Sequence, residues 1–95
     1  MKRILAPLLI ALALPAAAQA ECYVEYKAKQ DSPLRLHYGI ALLSAGGCPS
    51  KGDAADALRG RLASGGWTLL NVVGLSEKAP GDKKKANAGE YYLRY

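Results

Sequence analysis

Apolar and polar positions alternate most cleanly in residues 22–29, CYVEYKAK. Cys22, Val24, Tyr26 and Ala28 fall on one side, and Tyr23, Glu25, Lys27 and Lys29 on the other. A period of two with a charged outer side predicts a half-buried strand. QDSP, residues 30–33, follows as a turn, with Asp31 and Ser32 able to bond backbone groups and Pro33 fixing φ. LRLHYGIALL, residues 34–43, alternates again. Leu34, Leu36, Tyr38, Ile40 and Leu42 share one side; Arg35, His37, Gly39 and Ala41 share the more polar one. So short a linker predicts an antiparallel pair.

SAGGCPS, residues 44–50, breaks the alternation, and the period then changes. Ser50 stands three residues before Asp53, the spacing of a helix cap followed by an acid suited to the positive helix start. This predicts a helix from about Lys51 or Asp53 to Ser64, with a stripe of Ala54, Ala55, Leu58 and Leu62. Arg59 and Arg61 lie outward or at its edge. Gly60 weakens such a helix by about 1 kcal/mol relative to alanine, a cost that a close approach to a sheet would explain. Gly65-Gly66 is a stop signal. WTLLNVVGL, residues 67–75, is apolar on both sides and predicts a central strand. SEKAPGDKKKANAG, residues 76–89, reads as a long solvated loop, and EYYLRY, residues 90–95, as a final strand closing a hairpin. The order ββαββ predicts a two-layer α+β domain, with a four-stranded, mainly antiparallel sheet and one helix on one face.

The helix end running into GGWTLLNVV, a polar loop and a closing aromatic stretch resembles a bacterial family of small domains of unknown function. Their pattern is strand, helix, Gly-Trp-x-Leu strand, hairpin and final strand. The resemblance spans roughly residues 53–95 and rests on Gly66, Trp67, Leu69 and Val72 or Val73. The strand at 34–43, the cysteines and the N-terminal segment depart from that pattern. The resemblance implies the fold of this half and no chemistry.

The first twenty residues follow another logic. Lys2 and Arg3 precede an apolar run from Ile4 to Leu14, and small residues end in Ala18-Gln19-Ala20. These are the charged, apolar and cleavage regions of a secretory signal peptide. The apolar run of about 11 residues falls short of the roughly 20 that span a bilayer as a helix. Cleavage after Ala20 leaves residues 21–95 as one small domain, periplasmic or secreted. Lipid attachment at Cys22 needs a small residue before it, and Glu21 is large and charged. Export places Cys22 and Cys48 in an oxidising compartment, where one intramolecular disulfide is available to offset a small core. No C-x-x-C motif is present, and His37 alone cannot complete a zinc site.

Without Lys2 and Arg3, the chain's 13 basic residues fall to 11 against 8 acidic, a mild surplus. It favours an envelope protein or anionic envelope polymer over nucleic acid, which needs a basic stripe. The single histidine lacks a recognisable nucleophile or acid partner, the glycines lack a phosphate-loop context, and no residue set calls for a cofactor or metal. A non-enzymatic binding module is therefore expected; an envelope-polymer binder or hydrolase inhibitor acting through the basic loop is the alternative, and a small hydrolase a more distant one. Six tyrosines with no phenylalanine favour half-exposed contact positions. If the first and last strands are neighbours, Tyr23, Lys27, Tyr92 and Arg94 share an open sheet face. Tyr91, Leu93 and Tyr95 would then face the core. Lys83, Lys84 and Lys85 form a second candidate contact.

Overall fold

The computed structural model describes residues 21–44 and 46–95, so the segment expected as a signal peptide lies outside the described residues. β1 (Cys22–Gln30) and β2 (Arg35–Leu43) form the antiparallel hairpin that the alternation predicts. Cys22 stands opposite Leu43, Tyr26 opposite Gly39 and Ala28 opposite His37. Directly opposed residues share a face. The face holding Cys22, Val24, Tyr26 and Ala28 therefore also takes His37, Gly39, Ala41 and Leu43, and all eight are buried. Gly39 is required by the packing: a Cβ there would collide with the Tyr26 ring.

α1 (Lys51–Ser64) lies over this face and buries Ala54, Leu58 and Leu62. Its start is capped as the sequence predicts, the Asp53 amide donating to Ser50 Oγ at 3.1 Å. At its end the Trp67 amide donates to the Leu62 carbonyl and the Gly66 amide to the Ala63 carbonyl, both at 2.9 Å. That pattern needs a left-handed residue, supplied by Gly66 at φ 84°. It turns the chain sharply and drops the Trp67 ring into the core. Cys22 and Cys48 are bonded, with Cα atoms 4.8 Å apart, tying the start of β1 to the segment before α1.

The remaining third departs from the expected four-stranded ββαββ sandwich. The sheet has three strands in the order β2-β1-β3, all antiparallel. β3 (Thr68–Ser76) is an edge strand, not the centre; β1 is central. Pairing of β3 with β1 is irregular at two points, between Glu25 and Tyr26 and between Lys27 and Ala28. Val73 and Leu70 lie at these irregularities without a registered partner on β1, and both are exposed. The segment read as a solvated loop contains α2 (Asp82–Ala88), since lysine and alanine are good helix formers and Ala88 finds a buried place.

Residues 90–95 are not a strand. Gly89–Tyr91 is a 3₁₀ turn, and Leu93 adopts φ 57°, which interrupts extended pairing. One parallel bridge, Ile40 to Tyr92, and one bond from the Leu93 amide to the Ile40 carbonyl at 2.7 Å fasten this tail to β2. The order is thus ββαβα. Gly60 also departs from expectation: nothing lies within 4 Å of a Cβ placed there, so it makes no close approach.

Candidate functional site

The face of the sheet away from α1 carries Tyr23, Glu25 and Lys27 from β1 and Tyr38, Ile40 and Leu42 from β2, by the parity of the same register. It is not open along its whole length. α2 packs against β2. Between them lies a cleft of about 370 Å³, lined by Tyr23, Ile40, Pro80, Lys78, Lys83 and Lys84 among others.

Glu25 is the acid of this cleft. Its Oε2 accepts from Lys84 Nζ at 2.9 Å and its Oε1 from the Tyr38 hydroxyl at 3.0 Å. The Lys84 hydrogen bond holds the Glu25 carboxyl below its usual range, against a burial effect that raises it, and Tyr38 adds to the lowering. Burial, followed by the bond to Glu25, pushes the Tyr38 hydroxyl up to about 12. With Lys84 matched to Glu25, the uncompensated cations lining the cleft are Lys78 and Lys83, which have no ion-pair partner among the described residues. Tyr92 sits beside the cleft through its bridge to Ile40, with the Lys85 ammonium 5.6 Å from its ring. Burial, Glu21 and Tyr92 raise the Tyr23 hydroxyl, in that order.

On the opposite face His37 is enclosed. Only 8% of it is exposed. Its ring stacks on Tyr91 at 3.7 Å and meets the edge of Trp67 at 4.2 Å. Nε2 and the Tyr26 hydroxyl share a 2.9 Å hydrogen bond, while Nδ1 is buried with no partner. Burial lowers the His37 pKa, partly opposed by the Glu90 carboxylate. Burial also pushes the Tyr26 hydroxyl up to about 12, with lesser contributions from Tyr95 and Tyr91. The alternation puts His37 on the more polar side of its strand; pairing of β2 with β1 turns that side into the core. No group of three or more metal-ligating side chains occurs among the described residues.

The predicted contact residues divide three ways. Tyr23, Lys83 and Lys84 meet in the cleft, with Tyr92 and Lys85 at its border. Lys27 shares the face but lines a separate hollow of about 260 Å³ with Leu36, Tyr38 and Leu70. Arg94 belongs elsewhere, its guanidinium 5.7 Å from the Tyr95 ring and 6.0 Å from Tyr91, and 3.6 Å from Glu90. Sequence reasoning missed Glu25, Ile40 and Lys78. The missed signal was Pro80-Gly81-Asp82 followed by good helix formers, which starts α2 and folds the loop back over the sheet. Compared with protein-family models, curated proteins and solved structures, the chain matches none.

Proposed function

We propose that the domain is an exported, non-catalytic module that binds an anionic polymer of the cell envelope in the cleft between α2 and the sheet. The observation that carries this reading is the convergence of Lys78, Lys83 and Lys84 with Tyr23 on one concave surface. An ammonium pair without acid partners attracts carboxylate or phosphate groups, and tyrosine presents a flat apolar ring with a polar tip to the rest of a saccharide or peptide unit. Glu25 contributes by fixing Lys84 in place, so that cleft and helix are held together before a ligand arrives. The disulfide is consistent with an oxidising destination.

Titration with polygalacturonate, a carboxylate-bearing polysaccharide, tests the reading. Lys78→Ala combined with Lys83→Ala should weaken binding by roughly tenfold and flatten its dependence on salt. Tyr23→Ala should weaken it at constant salt dependence. Equal affinity for the parent and the lysine variant would remove the cleft as the site.

A further inference from the structure

At the end of the sheet remote from the disulfide, the chain exposes leucines rather than burying them. Leu34 is 64% exposed, Leu36 66% and Leu70 49%. Leu34 ends the turn between β1 and β2, Leu36 lies two residues on, and Leu70 meets Leu36 across the hollow lined by Lys27 and Tyr38. This apolar end is set among cations. Lys27 and Lys29 stand on β1 and Arg35 begins β2. Lys29 is matched by Asp31 at 3.3 Å. Lys27 and Arg35 have no acid partner among the described residues. Arg35 is held in position all the same, its guanidinium 5.8 Å from the Trp67 ring and 3.4 Å from Gln30 Oε1.

We infer that this end of the sheet docks reversibly on the surface of an anionic phospholipid bilayer, a binding site separate from the cleft. Exposed leucines beside a tight turn can enter the boundary between headgroups and acyl chains, while the neighbouring cations remain among the phosphates. A second copy of the chain fits less well, because an isologous contact over Leu36 and Leu70 would bring the unpaired Lys27 of both copies together, while Asp31 at the turn is already matched to Lys29. Docking stays shallow: no helix among the described residues is long and apolar enough to cross a membrane.

The test uses the exported protein, its N-terminus verified by intact mass, with phosphatidylcholine vesicles prepared with and without phosphatidylglycerol. Binding should require phosphatidylglycerol and weaken with salt. Leu36→Ser combined with Leu70→Ser should lower the partition coefficient by roughly tenfold or more without altering charge. The same ratio should appear in a Lys83→Ala/Lys84→Ala background, which separates this end from the cleft. Leu34→Trp gives an independent reading, since its emission should shift to the blue when vesicles are added. Serine variants that partition like the parent, binding indifferent to phosphatidylglycerol, or a leucine-dependent dimer in sedimentation would each overturn the inference.

Discussion

His37 is where residue-level reasoning and tertiary packing part most sharply. Its position between Arg35 and Gly39 looks polar, yet its parity with Leu43 and Ala41 commits it to the face that α1 and the aromatic tail cover. The groups around it are the Tyr26 hydroxyl, Glu90, Tyr91, Tyr95 and, over the neighbouring rings, Arg35 and Arg94. In the protonated ring both nitrogens carry N–H, and the one at Nδ1 would be buried with no acceptor among the described residues. Because the native pKa lies below the ordinary 6.5, the native state binds fewer protons than the unfolded chain. Stability from the neutral ring is therefore complete above 6.5 and is lost as pH falls below that value through the lowered native pKa. Thermal midpoints followed downward from neutral pH should decline, and His37→Gln should flatten the decline before the carboxylates titrate. A matching slope in both proteins would contradict the assignment. Tyr26→Phe removes the hydroxyl that pairs with Nε2 and should cost about 1–3 kcal/mol in urea unfolding.

Elements with a long, regular period were legible. β1, β2 and α1 follow from alternation, a capping serine and a glycine stop, and they place Trp67 correctly. α2 was not legible because seven residues with one buried alanine leave no period to read. The tail failed for a different reason. EYYLRY alternates well enough for a strand, but Tyr91 and Tyr95 stack with His37, a residue more than fifty positions earlier, and Leu93 turns left-handed between them. No local pattern contains that partner. The cleft shared this fate: Tyr23 and the lysines were visible as residue types, but their meeting depends on α2. Two glycines test the packing of the legible elements in opposite directions. Gly39→Val should force the Tyr26 ring aside and cost about 1–3 kcal/mol. Gly60→Ala, on the open side of α1, should stabilise by about 0.5–1 kcal/mol. Urea midpoints for both would show whether β1 against β2 is as tight, and α1 as free at that point, as described.

For the molecule as a whole, the main core cluster among the described residues is one layer of strand residues beneath α1, with Tyr26, Trp67, Leu58 and Leu62 as its largest members, while Ile40 is buried on the opposite face of the sheet. Such a core leaves little margin, so the Cys22–Cys48 bond carries weight beyond its local contacts. It closes a separation of 26 residues that contains all of β2 and the approach to α1. In the chain-entropy account, opening it returns roughly 3–4 kcal/mol of freedom to the unfolded chain. The native contacts around it change little, because Cys22 is buried beside Leu43 in the sheet and Cys48 packs against the cluster from the loop. Reduction should therefore lower the urea midpoint strongly, while circular dichroism of the folded baseline stays nearly constant. Hydrogen exchange should then accelerate first across the first turn of α1, whose Ser50 cap lies two residues beyond Cys48, and last in β1, which has a strand on each side. Uniform acceleration, or a midpoint unmoved by reductant, would show that the aromatic packing rather than the disulfide holds β2 and α1 together.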